Sequence, residues 1–272
     1  MIFADRTLAE RLEAAEGFAC MQFATARKKL FPQCSSAWTK CAGADVVFDG
    51  VGAPTTQTFG LGMFEEATAE GLAEIERFFA ERGSETMHEV CPLAGAATLD
   101  LLCARGYRPF EISNVLYRSV EEPVACKDPA IKVRVIDQGE AQVWSGVSAR
   151  GWTHEHPELE PFVKEMGAMI VAREESPCFL AELNGLPGAA GALILHKGVA
   201  LFGGAATVPE MRRRGLQGAL LEARMRYAYE RGCDLAMMVT EAGSESQRNA
   251  ERKGFRVAYT RLKWKKESEN NT

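Results

Sequence analysis

Val208-Pro-Glu-Met-Arg-Arg-Arg-Gly-Leu-Gln-Gly-Ala219 is the stretch on which the reading of this chain turns. A strand-like run, Val199-Ala-Leu-Phe-Gly-Gly-Ala-Ala-Thr-Val208, precedes it, and a helix-like run from about Leu216 to Arg231 follows. A strand, a tight basic turn with glycines and a helix start together make an anion cradle. The first N–H groups of a helix have no intrahelical partner, and the helix dipole favours negative charge there. Gly215 and Gly218 lack a Cβ, so a pyrophosphate can come close to the backbone. Arg212, Arg213 and Arg214 add charge and planar donors suited to phosphate. The P-loop pattern G-x-x-x-x-G-K-S/T is absent. So is G-x-G-x-x-G with a later acidic ribose ligand.

The order of elements continues downstream. Asp234-Leu-Ala-Met-Met-Val-Thr240 reads as a strand, and the segment after it ends in Lys253-Gly-Phe255. Arg256-Val-Ala-Tyr-Thr-Arg-Leu-Lys-Trp264 reads as a final strand. Over roughly Ile131 to Trp264 this resembles the GNAT superfamily of acetyl-CoA-dependent N-acetyltransferases. Arg212 and Gly215 match the first and fourth positions of its acyl-CoA signature, Q/R-x-x-G-x-G/A. The sixth position holds Gln217, with Gly218 one residue later.

Composition bounds the function. The chain has 272 residues, 46% of them hydrophobic and 25% charged, enough for one large or two ordinary packed domains. A net charge of −5 argues against a nucleic-acid binder working by bulk electrostatics. The arginine run is therefore a local basic spot on an acidic protein. The eight cysteines form no C-x-x-C and no zinc spacing, and are expected as reduced, structural thiols. No apolar leader opens the chain and no run is long enough to span a membrane. A cytoplasmic protein, monomeric or homodimeric, is expected, with no metal, membrane or nucleic-acid partner.

Residues 4–30 carry apolar side chains at Leu8, Leu12, Ala15, Ala19, Phe23, Ala26 and Leu30, the period of an amphipathic helix, stopped by Pro32. Val46–Phe48 suggests a short strand. Residues 68–82 suggest a second helix with Gly83 as C-cap. Ser119 to Ala130 reads as a linker. Ile131–Ile136 begins the second half as a strand, followed by helices over 138–150 and 160–173. Asn184-Gly185, between Phe179–Leu183 and Ala189–Leu195, marks a hairpin.

An internal repeat ties the halves together. Glu81-Arg-Gly83 and Val90 recur as Glu230-Arg-Gly232 and Val239 at one common offset. Arg105-Gly-Tyr-Arg108 answers Lys253-Gly-Phe-Arg256. With the resemblance, this implies an α/β fold of two GNAT-like domains, each a twisted, mostly antiparallel sheet with flanking helices. Residues 1–120 would be one domain and residues 131–272 the other. The offset places Glu65 and Glu66 on Arg214 and Gly215, so the first half would have lost its cofactor site.

The resemblance implies transfer of an acetyl group from acetyl-CoA, as co-substrate, to a primary amine of a small molecule or peptide. An ammonium must lose a proton, an oxyanion must be stabilised and a thiolate protonated. Ala206, Thr207 and Val208 would supply main-chain contacts to the pantetheine arm. Arg213, Arg214, Gly215, Gln217 and Gly218 would cradle the pyrophosphate. Gly203-Gly204 reads either as a β-bulge or ligand approach, or as sheet packing. Ser244, Ser246 and Asn249 would meet the pantetheine or thiolate, although Ser244 also suits a helix cap. The family's usual tyrosine acid is replaced by Ala250. Glu241 is the candidate base, with an exposed surface charge as the plain alternative. Tyr259 is the candidate acid, or a core aromatic. His154-Glu-His156 lacks a third ligand and suits pocket lining with Trp144 and Trp152. The rival function is a non-catalytic acyl-CoA-binding regulatory module.

Overall fold

The computed structural model describes residues 3–122 and 128–266. In chain order the elements are α1 (Arg6–Leu30), β1 (Ala37–Cys41), β2 (Ala44–Phe48), β3 (Gln57–Phe59), α2 (Ala69–Ala80), β4 (Met87–Val90), α3 (Ala96–Ala104) and β5 (Tyr107–Ser119). Then come β6 (Ile131–Val135), α4 (Ala141–Trp152), α5 (Glu160–Ala172), β7 (Cys178–Leu183), β8 (Leu186–His196), β9 (Val199–Thr207) and α6 (Leu216–Glu230). β10 (Leu235–Glu241), α7 (Glu245–Arg252) and β11 (Arg256–Lys266) finish the chain. The expected linker falls partly on residues 123–127, outside the described residues.

Packing divides the chain into two compact units along a line other than the expected one. Residues up to Arg118 form the first unit together with those from Met237 onward, and Ser119–Ala236 form the second. The reason lies in β11. It is not an edge strand of the second half but sits between β4 and β5, antiparallel to both. Leu262 pairs with Val90 on one side and Ile112 on the other.

The sheet of the first unit runs β1-β2-β3-β4-β11-β5-β10. Its β1–β2 and β2–β3 pairs are antiparallel, and β3–β4 is parallel, with Thr58 opposite His88 and Phe59 opposite Glu89. The β1–β2 hairpin turns through Ala42 (φ 49°) and Gly43 (φ 70°). Helix α1 starts because Asp5 accepts from Leu8 N at 2.9 Å, and Arg27, Lys28 and Lys29 suit its C-terminal end. Its apolar face packs Met21 and Ala24 against Val47 and Phe59. A Cβ on Gly17 would run into Asp45, so the helix lies close on β2 only because that residue is glycine.

The second unit has the antiparallel order β9-β8-β7-β6. Asn184 (φ 52°) and Gly185 (φ 80°) make the expected tight hairpin. The core of this unit gathers Trp144, Val147, Cys178, Leu180, Ala190, Ala192 and Val208. The Trp144 indole donates to the Phe179 carbonyl at 3.0 Å, so its one polar group is satisfied in the interior. Among the described residues no helix is long and apolar enough to cross a membrane.

Candidate functional site

The cradle forms where β9 hands over to α6. A short 3₁₀ turn, Pro209–Met211, leads into Arg212, Arg213 and Gly215. Arg213 has φ 61° and Gly215 φ 84°, two left-handed residues that reverse the chain into the helix. Holding arginine there costs about 1 kcal/mol, a strain of the kind found around ligand sites. Gly215 is the N-cap of α6 and offers no side-chain cap. The first closed helical bond runs from Ala219 N to Gly215 O at 3.1 Å. The N–H groups of Leu216, Gln217 and Gly218 thus find no acceptor among the described residues. Arg213 and Arg214 stand exposed beside them. Bare donors, a left-handed glycine and two free guanidiniums fit a pyrophosphate.

Arg212 does something else. Its guanidinium donates to the Thr207 carbonyl at 3.3 Å and the Gly151 carbonyl at 2.9 Å, and lies against the His154 ring. It ties α4 to the end of β9 and braces the cradle. Gln217, at the departing signature position, donates to Thr207 Oγ1 at 2.7 Å, which turns its side chain back onto the strand.

The three backbone positions differ in availability. Val208 N donates to Gly188 O at 2.9 Å, and Ala206 lies opposite Ala190 in the same register. Neighbours along a strand alternate in direction. Thr207 N–H is therefore the one that points away from β8, while those of Ala206 and Val208 point toward it. The bulge read at Gly203-Gly204 is present. Ala190 faces Ala206 while Ala192 faces Gly203, leaving an extra residue on β9, and Gly204 takes φ 61°. Arg224, fully buried on α6, donates to the carbonyls of Ala192 (3.3 Å) and Gly203 (3.5 Å) behind this bulge. Burial pushes its pKa down to about 9.

The remaining expected residues lie in the first unit. Ser244 caps α7, accepting from Gln247 N at 3.2 Å, and Ser246 and Asn249 are exposed on that helix. Tyr259 is buried, and its hydroxyl donates to Glu13 Oε1 at 2.7 Å. Burial first, then the Glu13 charge, drives its pKa well up. Its position is that of the core aromatic. Glu241 ends β10, exposed, with no partner for its carboxylate among the described residues. His156 Nδ1 lies 3.2 Å from Glu158, so the two histidines do not converge on one point.

A cavity of about 730 Å³ opens in the first unit, and Glu241 is one of its lining residues. At its base Arg261 is fully buried among three carboxylates: Glu13 at 3.3 Å, Glu16 at 2.6 Å and Glu89 at 2.9 Å. Sequence reading missed this group. The signal was present, since Glu13 and Glu16 sit one residue past Leu12 and Ala15 on the apolar face of α1. Chiefly by burial, opposed by Arg261, the Glu16 pKa is raised to about 7. Unfolded, it titrates near 4.5. Between these values the folded chain holds more protons than the unfolded one, so this group makes stability fall as pH rises from about 4.5 to about 7. Below that window its contribution is flat. Glu16→Gln is therefore expected to flatten the pH dependence of the urea midpoint across it. Parallel curves for variant and parent would show that Glu16 does not titrate this way.

Solved structures resemble this chain over most of their length. A GCN5-related N-acetyltransferase from Kribbella flavida superposes with TM-score 0.64 at 16% identity, over 92% of this chain and 96% of that one. A GNAT-family acetyltransferase from Colwellia psychrerythraea gives 0.51 at 15% identity, over 83% and 80%. The fold is the GNAT fold. A tandem GNAT protein from the clavulanic acid biosynthesis pathway gives 0.60 at 12% identity, over 92% and 89%, and the arrangement here is likewise a tandem GNAT-like one. No family model and no curated protein sequence matches the chain.

Proposed function

We propose that this protein is an acetyl-CoA-dependent N-acetyltransferase with one cofactor site, carried by β9 and α6. The observation that carries this reading is the bare start of α6: three unaccepted N–H groups behind a left-handed glycine, flanked by Arg213 and Arg214. Acetyl-CoA would supply the activated acetyl group. Leu216, Gln217 and Gly218 would hold its pyrophosphate through backbone N–H, and Thr207 N–H, which points away from β8, would meet the pantetheine arm. Glu241 would accept the proton of the attacking ammonium. Tyr259 is assigned to the buried network around Glu13.

The first unit contrasts with this at the same point of its fold. Helix α2 is capped by Thr68, whose hydroxyl accepts from Gly71 N at 3.1 Å. Matching the two N-caps sets Thr68 on Gly215 and moves the comparison two residues from the sequence offset. Glu65 and Glu66 then fall on Arg212 and Arg213, so carboxylates still stand where the cradle has guanidiniums. These features support a single site per chain.

Calorimetry on the full chain is expected to give one acetyl-CoA per chain. Gly215→Glu should weaken binding by about 2 kcal/mol or more, roughly thirtyfold, through repulsion and lost donors. Gly215→Asn, which tolerates the left-handed backbone, should bind far better than the glutamate variant. Two sites in the parent, or full affinity in a folded Gly215→Glu chain, would overturn the assignment. Retained binding with no free-CoA release across a panel of amines would favour the regulatory module instead.

A further inference from the structure

We infer that the first-unit cavity binds a small organic polycation, a diamine or polyamine with apolar carbon between its ammonium groups. As a binding site it stands apart from the acetyltransferase reading. The electrostatics favour a cation. Three carboxylates at the base share the one Arg261 guanidinium, whose donors are all spent on them and on Ser113. At the rim Lys263 is matched by Glu111 at 3.4 Å. Glu241 adds a carboxylate with no counter-ion among the described residues. Among the lining residues Glu16, Glu89, Glu111 and Glu241 outnumber Arg261 and Lys263 by two, and by one where burial keeps Glu16 protonated.

Unmet hydrogen-bonding groups point the same way. Gln57 and Thr240 line the cavity and are buried, 3% and 6% exposed. Gln57 donates its amide N–H to Glu89 at 2.7 Å, and its carbonyl oxygen has no partner. The Thr240 hydroxyl has none either. Both oxygens are closed off from solvent beneath the lining, and a donor-rich ligand that shifts the wall enough to reach them gains by pairing them. Part of the lining is apolar: Phe110 and Ile112 on β5, 44% and 52% exposed, and Phe59. A volume of about 730 Å³ is that of a small-molecule site. Alternating cationic and methylene groups complement a lining that mixes acids with aromatic and aliphatic groups.

Spermidine titrated into the full chain by calorimetry tests this, with a neutral diol of similar length as control. One spermidine per chain is expected, and no saturable binding of the diol. Ile112→Lys places a positive charge at an exposed lining position without touching the core, and is expected to weaken spermidine at least about tenfold. Glu16→Gln should weaken it as well. Gly215→Glu should leave spermidine binding unchanged while losing acetyl-CoA. No saturable spermidine binding to the parent, equal binding to Ile112→Lys, or equal binding of the diol would each overturn the inference. Acetyl-CoA titrated into the same samples separates the two failures: if it binds and spermidine does not, only the cavity assignment falls.

Discussion

Arg261→Met is expected to cost about 3–5 kcal/mol of stability, the loss typical when one partner of a buried ion pair is removed. Methionine fills much of the space but leaves Glu13, Glu16 and Glu89 without the guanidinium that now lies within 3.3 Å of all three. Against a total of about 5–15 kcal/mol for a domain, that is about a fifth or more of what holds the first unit together. The deficit should shrink at low pH, because burial already raises the proton affinity of Glu13 and Glu16 and the orphaned acids can take up protons. Pairing Arg261→Met with Glu16→Gln should recover part of the loss, giving a coupling energy by double-mutant cycle. Urea unfolding followed at about pH 8 and about pH 5 measures both effects. A loss below about 1 kcal/mol at the higher pH would mean that water reaches these carboxylates in the folded chain.

That network also shows where sequence reading stops. Local patterns carried the cradle: glycine and arginine spacing after a strand needs no knowledge of distant residues. The Asn184-Gly185 hairpin was legible for the same reason. The Ala42-Gly43 hairpin was not, because Ala42 is no turn signal and its positive φ is imposed by the strands around it. The place of β11 was illegible in principle. Its own residues say strand, but the choice of β4 and β5 as partners is made by surfaces more than a hundred residues away. Every consequence of that choice was hidden with it: the split into units, the burial of Tyr259 against Glu13, and the convergence of Arg261 on α1. Tyr259 and Arg261 stand two apart on one strand and so share a face. The alternation was visible, but not what it faced. The cap alignment was missed by two residues because glycine repeats mark helix ends, and α2 is shorter than α6: Thr68 to Gly83 spans 15 positions where Gly215 to Gly232 spans 17.

Glu241→Gln is expected to lower the acetyl-transfer rate about 10²–10⁴-fold while leaving acetyl-CoA affinity nearly unchanged. A primary amine has a pKa near that of lysine, about 10.4, so at neutral pH it arrives as the ammonium and has no lone pair to attack with. Something must take the proton. The strand that leads into the cradle, Val199 to Thr207, carries no carboxylate and no histidine. Tyr259 is buried, with its hydroxyl already committed to Glu13. Glu241 ends its strand exposed, lines the cavity and has no counter-ion among the described residues to hold its charge elsewhere. Glutamine keeps the shape and loses the basicity. The variant's rate should therefore recover as pH rises toward the amine's own pKa, since free amine then needs no base. A surface charge would show neither the loss nor the recovery. The measurement is free-CoA release from about pH 6 to pH 10, with an acceptor chosen by screening amines on the parent chain. Equal turnover at neutral pH would remove Glu241 from the mechanism.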